Sequence, residues 1–298
     1  MNSWRLLKDL APLSGAENMA IDEALMQVMR ASISATSGDY IAPILRFYSW
    51  KEATLSMGYR QDYQKYADIN TRLPKVRRIT GGGAVLHNKA PLELTYSLIA
   101  PVNTDEFCFE GLKGSIRYSY GKISHAFINA LNLVGLKGEF VSCSGEKSND
   151  LTNRAKGSPK KSLNDTCFSS SCFEEVTVKG RKLIGSAQKR DKLVFLQQGS
   201  IVFGKDKRAY ENVFGEGTSD LFTSLAEEGV TVTPEGFIVK VVNAFSEEFN
   251  IGFSESCLST KEKDLVDKFF NGKYQLAGWT EYREQPKFDK STAVIKSA

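Results

Sequence analysis

What this sequence has little of narrows it quickly. Only two histidines, His87 and His125, accompany five cysteines in 298 residues, and no two cysteines stand in CxxC spacing. That combination excludes the common zinc patterns, and an odd set of thiols excludes a disulfide-stapled framework. Free thiols of this kind fit a reducing, cytoplasmic compartment. No apolar run is long enough to span a bilayer. The stretch from Met1 to Leu10, interrupted by Asp9, lacks the apolar core of a secretory signal, so neither export nor a membrane is expected. Charge of one sign is also scarce: the formal net charge is +4, too small to announce a nucleic-acid partner but no obstacle to docking an acidic protein. Internal repeats and low-complexity domains are missing too. What is present is an ordinary globular composition, 41% hydrophobic and 25% charged, enough for one large domain or two modest ones.

The most unusual stretch is Arg77-Arg78-Ile79-Thr80-Gly81-Gly82-Gly83-Ala84-Val85-Leu86-His87. Three adjacent glycines lose much entropy on ordering and pack no side chain, so they suit a sharp turn or a close backbone approach. Two arginines beside bare backbone N–H groups favour an anion. A glycine bulge or hairpin turn with solvated arginines is the plain alternative. Around this stretch the apolar pattern predicts helices over 15–29 and 115–136, and strands over 44–50 and 53–59, the last two paired with each other. Further strands are expected at 84–87, 92–100, 173–178, 182–187 and 193–203, with Lys179-Gly180-Arg181 as a hairpin turn. Shorter helices are expected over 218–227, 236–249 and 260–270. The polar segment Cys143 to Thr166 reads as a surface loop able to act as a lid, and Pro286 to Ala298 as a frayed tail.

Three residue types carry candidate chemistry. Lys182, among the small residues of Gly180-Arg181-Lys182-Leu183-Ile184-Gly185-Ser186-Ala187-Gln188, can neutralise a carbonyl oxygen or a phosphate, although most lysines are simply solvated. Cys167 and Cys172, at the end of the polar loop, can each attack a thioester if exposed, or sit as inert small hydrophobes. His125 falls inside the long amphipathic helix, which leaves His87 as the histidine to place near a site.

Four ordered motifs resemble the lipoate-protein ligase and octanoyltransferase family: the arginine–glycine stretch ending at His87, Leu94-Thr95-Tyr96-Ser97, the Gly180–Gln188 segment, and Leu196-Gln197-Gln198-Gly199-Ser200. Asn18 to Leu25 and Arg46 to Trp50 are similar to that family's opening helix and first strand, with a weaker echo at Lys273-Tyr274 and Trp279. The resemblance implies an α+β fold, a mixed β-sheet flanked by helices, of the biotin-protein-ligase and lipoate-ligase type and related to class II aminoacyl-tRNA synthetases. It implies a catalytic domain over 1–255, followed by a short helix and tail over 256–298, too short for a full accessory domain. It implies an acyl-chain pocket in which Lys182 holds the acyl carbonyl or the adenylate and Arg78, Gly81, Gly82, Gly83, His87, Gly185, Ser186, Ala187 and Gly199 bind substrate, with Arg77 and Arg78 toward the phosphate end. The placement of Cys167-Phe168 ahead of Glu175 resembles the transferase nucleophile segment and favours Cys167 over Cys172.

The activity implied is octanoyl transfer from acyl carrier protein, through an acyl-cysteine, to a lysine of a lipoyl domain or glycine cleavage H protein, with no cofactor and no metal. Gly83 stands where such transferases carry arginine, Gln198 where histidine is common, and Asn88 where aspartate is. The triple glycine is the ligase form, so an ATP- and Mg-dependent lipoate ligase is the second expectation, and a non-catalytic binder of acylated carrier proteins is the third.

Overall fold

The computed structural model describes residues 3–35, 41–70, 72–102, 116–141 and 175–285. Cys167, Cys172, the 143–166 segment and the 286–298 tail lie outside the described residues. In chain order the strands are β1 (Ser3–Leu13), β2 (Ile44–Trp50), β3 (Thr54–Met57), β4 (Lys75–Arg77), β5 (Val85–His87), β6 (Glu93–Pro101), β7 (Glu139–Val141), β8 (Glu175–Val178), β9 (Arg181–Arg190), β10 (Val194–Val202) and β11 (Gly252–Glu255). The helices are α1 (Gly15–Ala35), α2 (Gln64–Ala67), α3 (Ile116–Asn132), α4 (Lys207–Phe214), α5 (Pro234–Phe249), α6 (Thr260–Phe269) and α7 (Ala277–Tyr282).

An eight-stranded mixed sheet runs in the order β11-β1-β2-β6-β10-β9-β8-β7, and a separate three-stranded sheet runs β4-β3-β5. β1 lies parallel to β2 and β11, whereas β2, β6, β10 and β9 alternate antiparallel. Alternate side chains of a strand face opposite ways, and both faces of this sheet are covered. Phe47, Tyr96, Leu98 and Phe195 join Phe127 of α3 and Phe245 of α5 in one core. Tyr48, Trp50, Ile99, Val194 and Leu196 join Met19 and Leu25 of α1, together with Phe269, Tyr274 and Trp279, in the other. Burial on both sides is why these strands read as nearly continuous apolar runs.

The local signals for α1 are clear. Ser14 Oγ accepts from the Glu17 N–H at 3.3 Å while Glu17 Oε2 accepts from the Ser14 N–H at 2.8 Å, a reciprocal cap. The β8–β9 hairpin turns through Lys179 and Gly180, both with positive φ, at 50° and 78°, which is the geometry that suits the right-handed twist of its strands.

Two expectations are corrected. The 44–50 and 53–59 segments do not pair with each other: β2 bonds to β1 and β6, and β3 bonds to β4 and β5 in the small sheet. The 218–227 segment is helical only as a 3-10 turn at Thr218–Leu221. Phe222 then takes an extended conformation, buries beside Val85, Leu86, Val202 and Tyr210, and bridges Lys182, while the Thr223 N–H donates to the Lys182 carbonyl at 2.8 Å. Burial and a sheet contact outweigh helix propensity there.

Of the described residues after 255, Phe269, Tyr274 and Trp279 enter the second core. Glu23 of α1 accepts from Lys273 Nζ at 2.7 Å and from the Tyr274 hydroxyl at 2.6 Å, and the ammonium lies 3.6 Å from the Trp279 ring centroid. The Trp279 indole N–H donates to the Arg77 carbonyl at 2.8 Å. These contacts join the carboxy-terminal helices to the strand that leads into the glycine turn.

Candidate active site

The site grows out of the register of the central strands. Residues directly opposite one another in a sheet share a face, and two rows cross β2, β6, β10 and β9. Arg46, Ser97, Gln198 and Ala187 form one row; Tyr48, Thr95, Ser200 and Gly185 form the next. Both rows are polar on β2, β6 and β10 and end in small residues on β9. A space opens where those small residues stand. It is lined by both rows except Arg46 and Ser97, and by Met19, Trp50, Ser56, Arg78, Val85, His87, Ser186 and Gly199, with about 350 Å³ of empty volume that includes its open mouth.

Gly199 shapes its floor. A Cβ built there would stand 2.3 Å from Tyr96 Cε1 and 2.6 Å from Ser186 Oγ, because the Tyr96 ring passes over this position to set its hydroxyl 2.8 Å from Ser186 Oγ. Gln197 Nε2 also donates to the Tyr96 hydroxyl at 2.9 Å. Burial pushes the Tyr96 phenol up to about 12 although both of these hydrogen bonds pull it down. Gly199→Ala is therefore expected to cost about 1–3 kcal/mol by overpacking and to displace Ser186 from the cavity wall. Thermal melting and an acyl-transfer assay on the same preparation check both effects.

The glycine turn connects β4 to β5. Arg78 is buried and holds the turn from inside: its Nη2 donates to the carbonyls of Gly81 at 2.6 Å and Gly83 at 2.7 Å, and its Nη1 to the Ser56 carbonyl at 2.9 Å. Gly82 has φ 86°, which favours glycine. Its carbonyl would lie 2.0 Å from a Cβ on Gly58, so two glycines meet backbone to backbone. Arg78 lines the cavity, and the three glycines shape the turn that Arg78 closes. Arg77 is directed elsewhere: its guanidinium donates to the carbonyls of Gln61 at 2.6 Å, Thr280 at 2.9 Å and Tyr59 at 3.1 Å, clamping the 58–61 loop to the carboxy-terminal helix. The expectation that Arg77 points toward an anion is corrected accordingly.

His87 forms part of the opposite wall. Its Nδ1 lies 2.5 Å from Glu93 Oε1 and 3.1 Å from Ser200 Oγ, and its ring stacks on Trp50 with centroids 3.8 Å apart at 11°. The Trp50 indole N–H donates to Thr95 Oγ1 at 2.8 Å, and the Asn88 N–H donates to Glu93 Oε2 at 2.9 Å. Burial by itself raises the Glu93 carboxyl, but the adjacent His87 and the hydrogen bonds from His87, Ser200 and Asn88 outweigh it and hold the group below the usual carboxylate range. Glu93 is thus ionised at neutral pH and accepts the Nδ1 proton.

Behind the first row lies a buried ionic network. Asp22 of α1 accepts from Arg46 Nη1 at 2.8 Å, the Ser97 hydroxyl at 2.8 Å, the Tyr48 hydroxyl at 3.1 Å and Gln198 Nε2 at 2.6 Å. Gln198 in turn accepts from Thr80 Oγ1 at 2.9 Å, so the residue preceding the glycines is tied through β10 to α1. Burial and the neighbouring Asp22 charge push the Tyr48 hydroxyl well above its ordinary range.

Gly185, Ser186, Ala187, Gly199, His87 and Arg78 therefore meet at one cavity. Lys182 is not among the described residues lining it. It lies on β9, buried, three positions before Gly185, with its ammonium on the Glu175 carboxylate. Burial raises the Glu175 carboxyl above its usual range against the opposing pull of Lys182. Sequence reasoning missed Asp22, Arg46, Trp50, Glu93 and Ser200 as parts of the site. The available signal was charge inside two apolar runs, Asp22 and Glu23 in Met19–Met26 and Arg46 in Ile44–Trp50, because a buried charge demands a partner.

Comparison with known proteins gives this geometry its place. The model of the lipoyl protein ligase A/B catalytic domain matches residues 14–246. The octanoyltransferase LipM of Carboxydothermus hydrogenoformans is 34% identical over 94% of this chain and 98% of its own length. LipM of Clostridioides difficile is 33% identical over 91% and 96%, and LipM of Bacillus subtilis 31% over 93% and 97%. Among solved structures, a bi-partite lipoate protein ligase from Thermoplasma acidophilum superposes with a TM-score of 0.70 at 21% identity, covering 97% of this chain and all of that one. A lipoate-protein ligase A bound with ATP superposes at 0.69 with 22% identity, covering 94% and 98%; at these identities both speak for the fold. Register, cavity and the near full-length match converge, and the chain belongs to the lipoyl protein ligase A/B catalytic domain family.

Proposed function

We infer that this chain is an octanoyltransferase of protein lipoylation: it takes an octanoyl group from acyl carrier protein and passes it to a lysine of a lipoyl domain or of a glycine cleavage H protein. The observation that carries the reading is the cavity floored by Gly185, Ala187 and Gly199, in a chain matched over 94% of its length by an octanoyltransferase. Small residues at a strand-built floor suit contact with a linear acyl chain, and the polar row above them suits a carbonyl and an incoming amine.

In this reading the Cys167 thiolate attacks the octanoyl thioester, the carrier's thiol leaves, and the acceptor lysine then displaces the cysteine. Cys167 lies outside the described residues, and its role rests on the motif it carries. Lys182, on β9, supplies a cation toward the acyl carbonyl once its ammonium leaves Glu175. Arg78, Gly81, Gly82 and Gly83 supply the turn that closes the cavity. No cofactor takes part.

The triple glycine, held by Arg78 through the Gly81 and Gly83 carbonyls, favours a second reading, an ATP- and Mg-dependent lipoate ligase. One assay separates the two. The protein is offered an apo lipoyl domain with either octanoyl-acyl carrier protein or octanoate plus MgATP, and acceptor mass is followed. Acylation with the carrier alone is the expected result, and acylation that requires MgATP would replace this reading with the ligase one.

A further inference from the structure

Lys182 and Gly185 stand three positions apart on β9, a spacing that puts two residues on opposite faces of a regular strand. β9 is not regular there. Val176 of β8 pairs with Ile184, but the next residue, Thr177, pairs with Lys182, which leaves Leu183 as an extra residue on β9, a β-bulge. Its effect shows in the packing: Leu183 and Ile184, neighbours in sequence, both enter the core that Val176 and Val178 share with Phe127 of α3. Past the bulge the faces are exchanged. Lys182, opposite Thr177, therefore stands on the other face, together with Glu175, whose carboxylate meets its ammonium, and with Gly185 and Ala187 of the cavity. In an unbulged strand Lys182 would alternate with Ile184 and carry its charge into the apolar core.

A bulge disrupts the ladder that holds it, and this one has lost a neighbour as well. β10 pairs with β9 only as far as Ile184. Beyond that point residues 222–226 take the place of β10. Phe222 bridges Lys182, the Thr223 N–H donates to the Lys182 carbonyl at 2.8 Å, and the Leu225 and Ala226 N–H groups donate to the carbonyls of Val202 at 2.9 Å and Phe203 at 3.0 Å. One carboxylate ties this segment to the β8–β9 hairpin. Glu228, its side chain 1% exposed, accepts from the Thr223 hydroxyl at 2.7 Å, from Arg181 Nη2 at 2.7 Å and from Lys179 Nζ at 2.9 Å. Those two cations flank Gly180 at the turn, and Arg181 immediately precedes Lys182.

We propose that the bulge at Leu183 is what presents Lys182 to the cavity face, and that Glu228 is a positioning residue for acyl transfer, acting through Lys182 by holding the bulged strand between β8 and the 222–226 segment. The charge on Glu228 matters, because both carboxylate oxygens are used and every group facing them is a donor. A neutral amide offers a single acceptor oxygen and turns its own donors toward Arg181 and Lys179. The far end of the segment is fixed independently: Lys205 Nζ donates to the carbonyls of Ser219 at 2.7 Å and Phe222 at 2.9 Å. Loss of the Glu228 charge should therefore loosen the hairpin and Lys182 while the segment stays attached.

This inference rests on the reading in which Lys182 acts on the acyl group, and a double-mutant cycle keeps the two apart. The first-order rate of transfer from octanoyl-acyl carrier protein to a lipoyl domain is measured at saturating substrates for the wild type, Glu228→Gln, Lys182→Ala and the double variant, with stoichiometric enzyme where turnover is slow. Glu228→Gln is expected to lose about ten- to a hundredfold, the scale of misplacing a reacting group by about 1 Å. Thr223→Val, which removes a single donor, should lose less. Once Lys182 is alanine, Glu228→Gln should cost less than about a further twofold, whereas plain stabilisation would slow both backgrounds alike. If Glu228→Gln transfers as the wild type does, or loses as much in the Lys182→Ala background, the positioning role is overturned and the part of Lys182 stands. If Lys182→Ala itself transfers as the wild type does, the reading of Lys182 fails and this inference with it. Rates are taken where each variant melts cooperatively well above the assay temperature, and Thr223→Val, which leaves every charge in place, carries the same cycle should Glu228→Gln not fold.

Discussion

Replacing Asp22 with alanine is expected to destabilise the protein by about 3–5 kcal/mol, the usual cost of removing one partner from a buried ion pair. In a domain of this size that corresponds to a fall in Tm on the order of 10 °C. Arg46 is fully buried and would keep the Asp9 carboxylate at 2.6 Å and Asn18 Oδ1 at 3.0 Å, but it would lose its buried counter-charge. Three further donors, on Tyr48, Ser97 and Gln198, would lose their acceptor at once. Activity should fall further than stability alone explains, because Gln198 would no longer be held against Thr80 at the mouth of the glycine turn. Asp22→Asn keeps an acceptor oxygen and should fall between the two. Thermal and urea unfolding measure the first effect, and transfer assays at a temperature where every variant is folded measure the second. An alanine variant as stable as its parent would show that the network is not what joins α1 to the sheet.

Much of this arrangement could be read from the chain itself, and the reasons are local ones. The α3 helix shows in its apolar spacing, the β8–β9 hairpin in Lys179-Gly180, and the glycine turn in its composition. Six residues that the resemblance singles out for substrate, Arg78, His87, Gly185, Ser186, Ala187 and Gly199, line the cavity wall. What stayed hidden depends on partners distant in sequence. Glu23 meets Lys273 across 250 positions, and Arg77 finds its carbonyl acceptors in the 58–61 loop and at Thr280. Nothing near Arg77 marks it as a clamp, so two adjacent arginines before three glycines read alike, although one closes the turn and the other ties down the carboxy-terminal helix. Phe222 shows the same limit from the other side: a segment with helical spacing is drawn out by a hydrophobic cluster and by the Lys182 backbone. Glu93 and Asp22 were legible only as charges inside apolar runs, a signal that announces a partner without naming it.

The second large effect concerns Cys167. Substituting alanine should reduce octanoyl transfer by on the order of 10³-fold or more, since removal of a nucleophile leaves only binding and electrostatic contributions to the rate. Cys172→Ala should transfer nearly as the wild type does. Stability should change little by comparison, which separates this substitution from Asp22→Ala. The most direct test of acyl transfer through Cys167 is the intact mass of the protein after incubation with octanoyl-acyl carrier protein without acceptor. A gain of one octanoyl group is expected in the wild type and in Cys172→Ala, with its loss on adding a lipoyl domain, and no gain in Cys167→Ala. A wild type that gains no mass, or a Cys167→Ala variant that gains as much as the wild type, would contradict it.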